Sequence, residues 1–119
     1  MDDRRKNVWE GVVTMEQEIK IITTAELQGK LAKNENLELI DVREHEEVIN
    51  GIVPGAKHIP MGEIPSRMEE LNQDKEYIFI CRSGRRSENV CHYLQEQGYK
   101  CVNMVGGMLE WEGDTELPS

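Results

Sequence analysis

Short apolar runs alternate with polar, helix-compatible stretches from Lys20 onward, and their lengths select strands and helices in turn. Ile21-Ile22 predicts a short strand. Thr23, with Glu26 three residues later, has the capping-box spacing that opens a helix, and Leu27 and Leu31 give that helix its buried stripe. Leu37 to Val42 predicts a second strand, and the acidic stretch from Glu44 to Val48 predicts one or two helical turns, closed by Gly51 and Pro54-Gly55. A short strand follows around His58-Ile59. Ile64, Met68 and Leu71 then recur at helical spacing, and Pro65, tolerable only in a first turn, makes that helix short. Tyr77 to Ile80 predicts a buried strand, and the residues from Arg85 predict a helix with the stripe Ser87, Val90, Cys91 and Leu94, stopped by Gly98. Cys101 to Val105 predicts a last strand. Gly106-Gly107 opens a final short helix through Trp111, with Met108 and Trp111 packing it onto the sheet.

This alternation predicts an α/β fold: a central, mostly parallel sheet of about five strands with helices on both faces. Residues 1–18 mix charges with a short apolar patch (Val8, Trp9, Val12, Val13) and carry no period, so they are set apart as an N-terminal extension to a domain over 19–119. In parallel sheets ligands gather at the carboxyl ends of the strands. Asp41 and Arg43 end one predicted strand and Cys81 ends another, which places both groups on one edge.

At 119 residues the chain fits one domain with a single hydrophobic core. The net charge of -9 argues against nucleic acid and against an anionic membrane as partners. No apolar run is long enough to span a bilayer and the first residues lack the apolar stretch of a signal peptide, so a cytoplasmic protein is expected. The three cysteines form no C-x-x-C pair and no zinc spacing, which predicts reduced thiols, no disulfide framework and no metal.

The stretch Cys81-Arg82-Ser83-Gly84-Arg85-Arg86-Ser87 is the local exception to the acidic balance. It puts a thiol at a strand-to-helix turn, where backbone N–H groups lack intrahelical partners. Those N–H groups, the helix dipole and three arginines favour thiolate over thiol, so Cys81 is the candidate nucleophile. Arg82, Arg85 and Arg86 are candidates for holding the negative charge of a donor, and Gly84 lets the loop close tightly. Cys91 and Cys101, in an apolar helical stripe and a strand, are assigned to the core. Arg43 and Glu47 have the spacing of a helical ion pair, and Asp41 at its strand end is placed to accept loop hydrogen bonds, so all three are read as structural support. His45, His58 and His92 lie in separate segments and are given surface or turn roles. No general base is evident, and a thiolate generated by the field of the loop needs none.

Asp41-Val42-Arg43, Glu47, Gly51, Pro54-Gly55-Ala56, Ile59-Pro60, the cysteine loop and Gly106-Gly107 with Trp111 follow in an order that resembles the rhodanese family of sulfurtransferases, from about Ile21 to Pro118. The resemblance implies a cysteine that takes a sulfane sulfur from a small anionic donor such as thiosulfate, holds it as a persulfide, and yields it to cyanide, a thiol or a protein acceptor, with no cofactor. Matched by position, Cys81 is the persulfide cysteine, and Arg82, Ser83, Gly84, Arg85 and Arg86 form the substrate-binding cradle. Ile52 stands where the family commonly has histidine and Val48 where an aromatic residue is common, departures that touch local packing and donor preference.

Two rivals share parts of this pattern. A cysteine-dependent phosphatase needs five residues between cysteine and arginine. Here Ser87 holds the arginine position and Arg86 comes one residue early, leaving a cradle sized for one sulfur rather than a tetrahedral phosphate. Arsenate reduction meets the same objection. A binding or regulatory module that keeps the fold and transfers nothing is the other rival, and such a module is expected to have lost the cysteine.

Overall fold

The computed structural model describes residues 18–118, so the extension expected over 1–18 lies outside the described residues except for Glu18. The chain runs β1 (Lys20–Ile22), α1 (Thr24–Ala32), β2 (Glu38–Asp41), α2 (His45–Val48), β3 (Lys57–His58), β4 (Glu76–Ile80), α3 (Arg85–Glu96) and β5 (Lys100–Met104). Three 3-10 segments, Met61–Glu63, Pro65–Glu70 and Gly107–Glu110, complete it. The strands stand in the order β1-β5-β4-β2-β3, and each neighbouring pair is parallel. The α/β architecture expected from the apolar pattern is present, with β4 at the centre of the sheet.

Local chemistry sets the element boundaries. At the start of α1, Thr23 Oγ1 accepts from the Glu26 N–H at 3.0 Å and Glu26 returns a carboxylate oxygen to the Thr23 N–H at 2.9 Å. This reciprocal cap satisfies two donors that the first helical turn leaves open. The α3 helix ends before Gly98, whose φ of +97° suits glycine, and Tyr99 N–H closes back on the Leu94 carbonyl at 3.0 Å.

β4 explains why the sheet reads as unbroken apolar runs. Tyr77, Phe79 and Cys81 face one layer, with Val90, Cys91 and Leu94 of α3 and Ile64 and Leu71 of the 3-10 region. Ile78 and Ile80 face the other, with Leu27 of α1 and the half-buried Met108 and Trp111. Successive side chains alternate between faces, so a strand covered on both sides is apolar throughout.

The short α-helix expected over Ile64 to Leu71 is instead two 3-10 segments with a break at Arg67 (φ −115°, ψ 18°). Pro65 has no N–H for the bond to Met61 that an α-helix would need, and the segment tightens into shorter-range bonds. Ile64 still reaches the core at 1% exposure, so the burial expected from the apolar spacing survives although the helix type does not.

The last turn approaches the cysteine loop through Gly107. Met108 N–H donates to the Cys81 carbonyl and Leu109 N–H to the Arg82 carbonyl, both at 2.9 Å. Gly107 has φ +60°, and a Cβ there would overlap the Arg82 carbonyl group. Gly107→Ala is therefore expected to cost more than about 1 kcal/mol in denaturant unfolding. Gly29→Ala, in α1 with nothing within 4 Å of the added methyl, should raise stability by up to about 1 kcal/mol. Equal effects at the two sites would contradict the close approach.

Candidate active site

Cys81 follows the last residue of β4, and its sulfur is fully buried under the turn into α3. Gly84, with φ +97°, is the N-cap of α3 and brings no side chain to cap it. The sulfur takes that place. Sγ accepts from Gly84 N–H at 3.1 Å and from Ser87 N–H at 3.3 Å, and the Ser87 hydroxyl stands 3.3 Å away. Ser87 is the third residue of α3, the position at which an N-cap side chain ordinarily receives its N–H. Backbone donors and the positive end of the helix dipole converge on one atom, an arrangement suited to anionic sulfur.

The loop side chains divide sharply. Arg82, Ser83 and Arg85 are exposed, and Arg82 and Arg85 form no ion pair among the described residues. Arg86 is half-buried and grips Glu47 with two parallel bonds, at 2.9 Å to Oε1 and 2.8 Å to Oε2. This pair holds the Glu47 carboxyl near pKa 2, below its ordinary 4.5, with Arg86 the main cause. The same contact raises Arg86, to which the nearby Cys81 adds a smaller share. A cleft of about 590 Å³ opens beside the loop, with Ser83, Gly84 and Arg85 in its wall. A second cleft of about 520 Å³, lined by His45, Lys57, His58 and Arg67 among others, includes no residue of the loop.

The helical ion pair expected between Arg43 and Glu47 does not form. Arg43 lies before α2, whose N-cap is Glu44, so the four-residue spacing does not put it on the same helix face as Glu47. It turns back instead onto Asp41: Nε meets both carboxylate oxygens at 3.1 Å, and a terminal nitrogen meets Oδ2 at 2.9 Å. Asp41 Oδ1 also accepts the Arg43 backbone N–H at 2.9 Å, and Arg43 reaches the Gly51 carbonyl at 2.8 Å. Asp41 is fully buried and Arg43 nearly so, which makes this a buried, multiply bonded pair that fixes the loop after β2.

Of the three histidines given surface or turn roles, His45 is exposed as expected, whereas His58 is half-buried in β3 and His92 departs from that expectation. His92 is buried, and His58 places Nε2 2.6 Å from the Arg43 carbonyl while its ring meets that of His45 edge-on. Cys91 and Cys101 lie in the core, and burial together with the neighbouring Cys101 thiol pushes the Cys91 thiol up. All three cysteines are unpaired.

Two site residues escaped the sequence reading. Periodicity places Ser87 in the apolar stripe of its helix and makes Asn103 one residue of an ordinary strand. Asn103 Nδ2 donates to the Gly84 carbonyl at 3.0 Å, and its Oδ1 receives a short hydrogen bond from the Ser87 hydroxyl. The available clue was a lone amide in the apolar run Cys101-Val102-Asn103-Met104-Val105, since a buried polar side chain requires partners.

The Glu47–Arg86 pair carries a pH signature. With the folded carboxyl near 2 and the ordinary value at 4.5, the pair adds stability above about pH 4.5 and loses it as pH falls towards 2. Glu47→Gln should accordingly lower Tm at neutral pH, and the gap to the parent protein should close over that acid range. A gap independent of pH would contradict the charge pairing.

Comparison with known proteins agrees with this geometry. The sequence profile of the Rhodanese-like domain matches residues 23–114. A Bacillus subtilis protein, YtwF, provisionally named a sulfurtransferase, is 62% identical over 99 residues, covering 83% of this chain and 96% of its own length. A sulfurtransferase of Allochromatium vinosum is 40% identical over 91 residues, covering 76% of this chain and 85% of its own. The crystal structure of a rhodanese-like domain protein from Staphylococcus aureus superposes with a TM-score of 0.79 at 39% identity, covering 85% of this chain and all of that one. A profile match across most of the chain, together with a sulfur-capped helix at the carboxyl end of the central strand, establishes that this chain belongs to the rhodanese family.

Proposed function

We propose that the protein is a sulfurtransferase in which Cys81 carries the transferred atom. The thiolate attacks the outer sulfur of an anionic donor of the thiosulfate type; a new S–S bond forms, the donor's S–S bond breaks, and sulfite departs with that bonding pair. Attack by cyanide, a thiol or a protein acceptor on the outer sulfur of the persulfide then returns Cys81 as thiolate. No net redox equivalent is needed and the chemistry requires no cofactor.

The observation that carries this reading is the convergence of Gly84 N–H, Ser87 N–H and the Ser87 hydroxyl on Cys81 Sγ, which supplies hydrogen bonds to a sulfur anion without a general base. The loop places Ser87 where a phosphatase signature has its arginine, a spacing that favours one sulfur and a short anion over a phosphate. Arg86 is engaged by Glu47, so among the described residues the exposed Arg82 and Arg85 are the loop guanidinium groups without an ion pair, placed to draw in a donor. The names of the relatives point to the same chemistry. Three unpaired thiols suit a reducing compartment such as the cytoplasm, and no helix among the described residues is long and apolar enough to cross a membrane.

Incubation with thiosulfate is expected to add the mass of one sulfur atom to the intact protein, removable by cyanide. Cys81→Ser should abolish both the adduct and sulfur transfer while the fold persists, and Cys91→Ala or Cys101→Ala should retain most activity. An unchanged mass would remove thiosulfate as donor. Equal losses at all three cysteines would contradict a single carrier, and release of phosphate from an aryl phosphate would favour the phosphatase reading.

A further inference from the structure

The Ser87 hydroxyl has one proton and two claimants. Cys81 Sγ lies 3.3 Å from Oγ, and Asn103 Oδ1 lies closer, at short hydrogen-bond distance. Asn103 cannot exchange its oxygen and nitrogen at no cost, because Nδ2 donates to the Gly84 carbonyl at 3.0 Å. Turning the amide over would set two oxygens against each other in a buried site. Ser87 is fully buried and Asn103 is 3% exposed, so neither group readily replaces a lost partner with bulk water.

We propose that Asn103 is a positioning residue that directs the Ser87 hydroxyl according to the charge on the sulfur. When Cys81 is a neutral thiol, its S–H donates to Ser87 Oγ and the hydroxyl donates to Asn103 Oδ1. When the sulfur is anionic, as thiolate or persulfide, the hydroxyl turns and donates to sulfur, leaving Asn103 Oδ1 without that donor. The thiol proton passes to a base in solution, and no bond between heavy atoms changes. Asn103 thus holds back part of the stabilisation that Ser87 can offer the anion. Through the Gly84 carbonyl the same amide ties this adjustment to the backbone of the loop.

The inference rests on Cys81 as the reacting sulfur, and its test reads the thiolate directly, without requiring any sulfur transfer. The other groups that bear on the sulfur are the Arg86 guanidinium with its Glu47 partner, the exposed Arg82 and Arg85 of the loop, and the buried Cys91 and Cys101 thiols. All are unchanged in the variants proposed.

The rate of Cys81 alkylation by iodoacetamide would be followed against pH by peptide mass for the parent, Ser87→Ala, Asn103→Ala and the double variant, with the fold checked by circular dichroism. Ser87→Ala removes a donor and should move the profile to higher pH, by roughly one unit. Asn103→Ala frees the hydroxyl for sulfur and should move it to lower pH. The double variant should match Ser87→Ala alone. A merely structural role for Asn103 predicts the opposite sign, because a loosened loop weakens every donor to the sulfur. An upward shift or no shift in Asn103→Ala, or a double variant that differs from Ser87→Ala, would overturn the proposal. If Asn103→Ala does not fold, the parent protein still decides the matter. The Asn103 side-chain amide resonances should move with Cys81 ionisation in the parent and stay fixed in Ser87→Ala, and resonances that ignore ionisation in the parent would be equally fatal.

Discussion

The capping of α3 by the Cys81 sulfur is the constraint around which the rest of the site is arranged. A helix that begins directly after a buried strand leaves its first N–H groups facing the protein interior, where an unsatisfied donor is costly. Most helices answer this with a serine, threonine, aspartate or asparagine at the N-cap. Here the N-cap is Gly84, and the sulfur at the end of β4 accepts the bonds instead. The helix start and the sulfur satisfy each other. That reciprocity explains why a potentially anionic sulfur can sit fully buried against the hydrophobic core.

Holding the sulfur there requires support from three directions. From β5, Asn103 fixes the Gly84 carbonyl and engages Ser87. From the last turn, the N–H groups of Met108 and Leu109 fix the carbonyls of Cys81 and Arg82, at a distance that only glycine at 107 permits. From β2 and α2, two ion pairs act at different depths. Asp41–Arg43 is buried and locks the loop after β2 to Gly51, whereas Glu47–Arg86 is partly exposed and ties α2 to the first turn of α3. The shallower pair matters less for stability than for charge. It occupies one loop guanidinium and leaves Arg82 and Arg85 at the surface.

Much of this was legible in the chain because the relevant signals are local. The Thr23–Glu26 capping box, the apolar run of β4, the stop at Gly98 and the position of Cys81 at a strand end each depend on a few neighbouring residues. The misreadings arose where partners are distant in sequence. The spacing of Arg43 and Glu47 suggests a helical pair, but the helix begins after Arg43, and both side chains find other partners: Asp41 two residues back and Arg86 thirty-nine residues on. Ser87 fitted an apolar helical stripe because small hydroxyl residues and core residues occupy such positions alike. Asn103 acquires its meaning only when β5 is laid beside the start of α3. Pro65 limits helix length, yet periodicity does not distinguish an α-helix from the 3-10 turns that bury the same residues.

The central claim, that the loop is a cradle for one anionic sulfur on Cys81, is tested most directly by a crystal structure of the protein treated with thiosulfate. The account predicts a single added sulfur bonded to Cys81 Sγ, within hydrogen-bond distance of the N–H groups of the loop, with Arg86 still paired to Glu47. An added sulfur on Cys91 or Cys101, or one on Cys81 that points away from the loop N–H groups, would contradict it.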